Sequence, residues 1–331
     1  MLRFYAILLL MLMLSACQPQ AQDVKESRFL LGTLVEFTIF TDDEDQALAT
    51  ITLAAEEMQR VQDVFTTFGS VPNSVKLFNQ APANTWIQLD KEVETLLLQA
   101  LTIQQDSQGA FDPTLGKLNQ LWAFSGESPP NKPPTLAAIQ DALAQTGIES
   151  LQYSEHKGWM KKINGLMLDF GAIAKGYAID RGIQVLKQYG VQHAIINAGG
   201  DMRILGDHGG KPWRIAIRHP RSEKPLGWVE IENDTSIVTS GDYERFYLYE
   251  GKRYHHILDP KIGLPSHASQ SVTVIAPSAV IADAWSTALF VLGANAGLNI
   301  AQKRMGIEVL WMTNNGEDVK SSGFELHHHA E

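Results

Sequence analysis

The sequence has almost no cysteine. Cys17 is the only one in 331 residues, which excludes a disulfide framework and any zinc or iron–sulfur site built from several thiolates, so a bound cofactor must be held by oxygen and nitrogen. Positive charge is also scarce: 27 Lys and Arg stand against 37 Asp and Glu, a formal net charge of -10. The basic footprint that phosphate-backbone binding requires is missing, and no nucleic-acid partner is expected. There is no internal repeat, and no second membrane segment follows the N-terminal apolar run. What is present is 44% hydrophobic and 19% charged residues, enough to bury a large core in one big domain or two modest ones, and this rules out disorder.

Residues 1–16 read as a secretory signal. Arg3 supplies the positive start, and residues 6–14 form an apolar run too short to span a bilayer. The run ends in Leu14-Ser15-Ala16-Cys17, which resembles the bacterial lipobox, where the cysteine is lipidated after cleavage just before it. Acyl chains at Cys17 would anchor the protein stably, each buried CH2 contributing about 0.8 kcal/mol. Residues 17–27 then read as a lipidated tether, 28–326 as the folded domain and 327–331, with three consecutive histidines, as a solvated tail.

Residues 30–40 are β-branched and aromatic, which predicts a first strand; 43–65 and 92–107 carry helical patterns. Residues 125–134, Ser-Gly-Glu-Ser-Pro-Pro-Asn-Lys-Pro-Pro, are the strongest breaker and predict a surface loop before a helical pattern at 135–146. Further strands are expected at 166–170, 193–197, 213–218, 227–231 and 271–275, with helices near 175–189 and 279–292. The fold class is therefore α+β. Short turns such as Asp207-His208-Gly209-Gly210 favour antiparallel meanders over a doubly wound parallel sheet.

Several clusters could carry chemistry. Gly171-Ala172-Ile173-Ala174-Lys175-Gly176-Tyr177 opens an expected helix, so its backbone N–H groups and dipole suit a phosphate. It matches neither common glycine-rich phosphate motif, and a tight strand-to-helix turn explains the glycines as well. Lys175 is placed to pair with a phosphate or carboxylate, or to be solvated. Asp169 is placed for a sugar hydroxyl or base edge, or for a helix cap. In Asn197-Ala198-Gly199-Gly200-Asp201 the paired glycines admit close approach of a ligand or another backbone. Thr239-Ser240-Gly241-Asp242-Tyr243 is polar and precedes an aromatic run. Of His255 and His256, neighbours on an expected strand, at most one faces a given pocket. Asp283 and Thr287, four apart on a helix, share a face that suits a hard cation completed by water and phosphate oxygens, or a first-turn carboxylate with an inward hydroxyl.

In order and approximate spacing these clusters resemble the ApbE family, the bacterial FAD:protein FMN transferases. The resemblance begins at Leu31-Gly32-Thr33, takes in residues 109–116 and 121–124, and continues through 168–180, 197–201, 239–243, 256–265 and 283–293. It implies an ApbE-like α+β fold with mixed or antiparallel sheets packed on helices and FAD in a central cleft. It further implies magnesium (Mg2+) bridging the FAD diphosphate, and transfer of FMN to a threonine hydroxyl of a target protein with release of AMP. Carried over position by position, Leu31, Phe68, Ala110, Phe111, Asp112, Asp169, Lys175 and Ile257 are the FAD contacts. Ala172, Asp283 and Thr287 are the magnesium set, and His256 and Asp283 are the catalytic pair, His256 as general base. Leu31 stands where the family has Met, Phe68 where a stacking Tyr is common, and Ile262 where Asp-Pro-x-Thr-Gly has its Thr. The flavin is cargo, so no redox residue is needed. The expected acceptor is a subunit of a membrane redox complex, such as a sodium-translocating NADH:quinone reductase or an Rnf-type complex, met at the periplasmic side of the inner membrane by the lipid-anchored enzyme. A magnesium-dependent FAD diphosphatase yielding FMN and AMP, and a non-enzymatic FAD-binding lipoprotein, are the alternatives.

Overall fold

Eight antiparallel strands cross the central sheet in the order in which the chain makes them: β1 (Gln22–Leu30), β2 (Thr33–Thr41), β3 (Ala194–Ala198), β4 (Asp201–Leu205), β5 (Thr235–Gly241), β6 (Ser269–Ala276), β7 (Glu308–Thr313) and β8 (Asp318–Lys320). The computed structural model describes residues 20–124 and 130–328, so Cys17, the signal and part of the proline-rich breaker lie outside the described residues. The helices are α1 (Glu44–Phe65), α2 (Ser74–Gln80), α3 (Lys91–Asp106), α4 (Gly116–Trp122), α5 (Leu136–Leu143), α6 (Ala174–Gln188) and α7 (Ala279–Ala301). The α+β class and the antiparallel meander are as the turns predict.

Alternation sets the layers. In β2 the side chains of Val35, Phe37 and Ile39 are buried and join α1 and α6 in one core cluster. Val238, Val272, Val274, Val309 and Trp311 meet α3 and α7 in the largest cluster. Ile204, Ile237 and Leu310 pack instead with a two-stranded ribbon, Trp213–Ile217 with Gly227–Ile231. The sheet is thus covered by helices in one layer and by the ribbon in another.

Three boundaries differ from expectation. The 17–27 tether ends early, because β1 starts at Gln22; along residues 22–27 only Val24 is buried, so this strand exposes polar residues and reads as linker. The single strand expected at 30–40 is a hairpin, with Leu31 and Gly32 both at positive φ, +56° and +71°, in its two-residue turn. At the other end, His327 exchanges backbone hydrogen bonds with Trp228 at 2.8 and 2.9 Å and His328 Nδ1 lies 3.2 Å from Leu226 O, so both sit against the ribbon rather than in a solvated tail.

Residues 166–170 are extended but form no strand ladder. Asn79 accepts the Leu168 N–H through Oδ1 at 2.7 Å, the Asp169 N–H reaches Pro113 O at 2.9 Å, and the buried Lys161 ammonium donates to Leu166 O and Asn79 O at 2.9 and 2.8 Å. Side chains, together with the backbone of residues 113–116, which bridges Met167, take the place of a partner strand. Helix α7 is long and apolar enough to cross a membrane, yet two-thirds of its apolar window is buried inside the fold, as in a core helix. It breaks at Gly293 (φ 71°, ψ 169°), one residue past the expected end at 292. The carbonyls orphaned there are taken up by Trp311 Nε1, on Leu289 O at 3.1 Å, and by Ser269 Oγ, on Phe290 O at 3.2 Å.

Candidate active site

The site forms where α6 begins against the first turns of α7. Contact is close because residue 176 is glycine: a Cβ there would stand 2.2 Å from Ala279 O and 2.8 Å from Asp283 Cβ. Asp180, one turn on, accepts the N–H groups of Ala279 and Val280 at 2.9 Å each and fixes the N-terminus of α7. Asp283, 5% exposed, accepts the Gly176 N–H through Oδ2 at 2.8 Å. The helix N-terminus expected to face an anion therefore faces this carboxylate, while Oδ1 takes no hydrogen bond among the described residues. Thr287 stands one turn further on the same face, its Oγ1 3.4 Å from Ser240 Oγ, which meets Ser286 Oγ at 2.7 Å.

Lys175 pairs with a carboxylate, Asp201 Oδ2, at 2.5 Å. Asp201 opens β4 straight after Gly199 and Gly200, whose φ values of 65° and 103° make the hairpin turn. Burial opposes charge on Lys175, and Asp201 with Asp283 outweighs it, holding the ammonium above the usual lysine range. Burial, with the Asp201 charge second, pushes Asp283 up to about 7.

His255 and His256 have separate surroundings. His255 Nε2 lies 2.7 Å from Ser266 O, and burial drives its pKa down to about 4. His256, just past the strand, donates its backbone N–H to Arg245 O at 3.1 Å, and its Nδ1 is buried with no hydrogen-bond partner. Burial first, then the charges of Arg245, His255 and Lys175, push its imidazole down to about 3. Arg245 also borders the first hairpin turn, its Nη2 3.6 Å from where a Cβ on Gly32 would sit. Leu31 in that turn donates its N–H to Gln62 Oε1 at 2.5 Å, an anchor for a left-handed residue that costs a non-glycine roughly 1–2 kcal/mol.

The remaining expected contacts are more dispersed in role. Phe111 and Ile257 share the main core with Phe170 and Leu168, so both side chains serve packing. Ala110 is buried beside them in the chain. Asp112 Oδ1 accepts from the Thr114 N–H and hydroxyl at 2.7 and 2.6 Å, and burial raises its pKa. Asp169 does not cap α6; its Oδ1 accepts the Gly171 N–H at 2.8 Å and closes the turn before it. Ala172, half-buried, follows that turn. Phe68 is 62% exposed, on a loop whose carbonyls Phe68 O, Gly69 O and Val71 O all receive the Lys76 ammonium. The Ile262 side chain is exposed, and the loop closes through the Asp259 carbonyl, which takes the Gly263 N–H at 2.8 Å and the Ile262 N–H at 3.3 Å. Sequence reasoning gave no role to Asp201, Arg245 or Gln62. Position after a Gly-Gly turn hints at the first; the other two carry no local signal.

A profile of the ApbE family matches residues 31–311. The FAD:protein FMN transferase of Haemophilus influenzae is 32% identical over 323 residues, covering 94% of this chain and 93% of its own. That of Vibrio cholerae is 30% identical over 321 residues, covering 95% and 96%. Among solved structures, the ApbE protein of Thermotoga maritima superposes with a TM-score of 0.85 at 33% identity, over 93% of this chain and 100% of the other. The flavin transferase ApbE of Vibrio cholerae gives 0.81 at 31%, over 92% and 98%.

Proposed function

The chain belongs to the ApbE family, and from that membership we propose that it transfers FMN from FAD to a threonine hydroxyl of a target protein and releases AMP. The observation that supports the site is the meeting at α6 and α7 of Asp283, with one carboxylate oxygen uncommitted, and the Lys175 ammonium, which is within electrostatic reach of His256 and its unpartnered Nδ1. In the reaction the threonine oxygen attacks the phosphorus of the FMN half. The bond from that phosphorus to the oxygen bridging to AMP breaks, AMP leaves with the bridging oxygen, and the threonine proton passes to a base.

His256 suits the base because its surroundings keep it neutral and its Nδ1 is unspent; a diphosphate arriving nearby would raise its proton affinity toward the useful range. Lys175 would meet phosphate charge. Asp283, Thr287 and the Ala172 carbonyl offer a carboxylate, a hydroxyl and a carbonyl, hard oxygen donors that suit magnesium and would hold it. When bound, the ion would neutralise charge on the diphosphate. Leu31, Phe68, Ala110, Phe111, Asp112, Asp169 and Ile257 would border the flavin nucleotide. Cys17 would carry the lipid anchor, placing the enzyme at the periplasmic face of the inner membrane beside an acceptor subunit of a membrane redox complex.

Incubating residues 20–331 with FAD, Mg2+ and a candidate acceptor subunit should yield a fluorescent band that survives denaturation, an FMN mass on a threonine, and one AMP per flavin. FAD binding without such a band rejects transfer to that acceptor, and steady AMP release without any acceptor assigns hydrolysis instead.

A further inference from the structure

Asp201 is among the most buried carboxylates of the described residues, its side chain 3% exposed, whereas its partner Lys175 is 33% exposed. Both Asp201 oxygens are committed within the protein: Oδ2 to the Lys175 ammonium at 2.5 Å and Oδ1 to the Thr239 N–H at 3.3 Å. Each of its oxygens already has a protein partner, and a buried ion pair is weak stabilisation compared with packed apolar groups. Its geometry links three elements: β4, the first turn of α6 and, through Thr239, β5. The lysine stem is long and flexible, and Asp283 is also within electrostatic reach of its ammonium.

We propose that Asp201 is a positioning residue for the transfer reaction: it holds the Lys175 ammonium at the mouth of the site and keeps it from closing onto the uncommitted oxygen of Asp283. Substrate phosphates then meet a cation already ordered, and Asp283 stays open for its own partner. Without Asp201, the ammonium swings to Asp283, so one change disturbs both halves of the site.

This rests on FAD being the substrate, and the test separates the two. Lys175 acetylation by acetic anhydride, read by peptide mass spectrometry against exposed Lys303, needs no FAD. Asp201→Asn, which keeps the acceptor for Thr239, should lower it at least fivefold, because the ammonium moves from a place where it is 33% exposed onto buried Asp283; an unchanged or higher rate overturns the proposal whatever the substrate is. With FAD, Asp201→Asn should weaken binding about tenfold or more and raise KM more than it lowers kcat. Adding Asp201→Asn to Lys175→Met should then change neither FAD affinity nor turnover by more than threefold, since Asp201 acts through the lysine. A further tenfold loss in the double variant overturns the proposal. That comparison holds even if Asp201→Asn alone folds poorly, because the double variant removes both partners of the pair and leaves neither side of it without the other. Wild-type protein that fails to bind FAD would reject the substrate and leave the acetylation result standing.

Discussion

At Asp283 two demands conflict. Burial and the neighbouring Asp201 favour the protonated carboxyl and lift it to about 7, whereas a cation needs the carboxylate. Binding must then expel a proton over much of the range below that value, so affinity should fall about fivefold from pH 7 to 6, approach tenfold per unit further down, and level off near pH 8. Mn2+ titrations followed by electron paramagnetic resonance at pH 6, 7 and 8 check this, and equal affinities at pH 6 and 7 would place the cation elsewhere. His256 shifts the opposite way. Held down to about 3, it is neutral throughout the working pH range, so it should impose no acid limb on kcat/KM for the free enzyme above pH 5. His256→Asn should lower kcat by about 10²–10⁴, the usual worth of a general base, while the FAD dissociation constant changes less than threefold. Parallel loss of both would make His256 a binding residue only.

Among the elements, the contact between α6 and α7 decides whether the site exists. Gly176→Ala would push a methyl against Ala279 O at 2.2 Å and the Asp283 side chain at 2.8 Å. Backbone cannot yield as a flexible side chain does, so the helices must part, at a cost of about 1–3 kcal/mol. Urea unfolding should show that loss, together with weaker cation binding than Gly182→Ala, whose added Cβ meets the side-chain tips of Ile196 and Met58. If the two substitutions affect cation binding alike, the contact at 176 has no special part in the site. Much of this was legible in the sequence. The helices at 43–65, 175–189 and 279–292 and the strands at 213–218 and 227–231 follow from apolar spacing, and Asp283 with Thr287 follows from a helical repeat. What the sequence hid has physical causes. A hairpin with polar outer positions reads as tether plus strand, as β1 and β2 did. An extended segment held by Asn79 and Lys161 carries strand-like alternation without a partner strand. Asp201, Arg245 and Gln62 come from distant segments, and their roles arise only when β4, the loop after β5 and α1 meet.

For the whole molecule, the meander ties the chain's start to its chemistry. β1 runs directly into the Leu31–Gly32 turn beside Arg245, and it begins at Gln22, five residues after Cys17. Five extended residues reach about 17 Å, so an anchor at Cys17 would hold the folded body close to the bilayer. The net charge of -10 gives no overall electrostatic attraction to anionic lipid, so under the proposed acylation of Cys17 the acyl chains would have to supply the attachment. Cys17→Ala should therefore release the protein completely from membranes, even at low salt, while kcat on a soluble acceptor fragment stays within twofold of wild type. In cells the same variant should leave a membrane-embedded acceptor under-flavinylated, and lengthening an anchored tether by twenty flexible residues should restore little beyond wild type if five already suffice. Fractionation with in-gel flavin fluorescence reads both arms. Variant protein that stays with the membrane would mean that another surface of the chain holds it there.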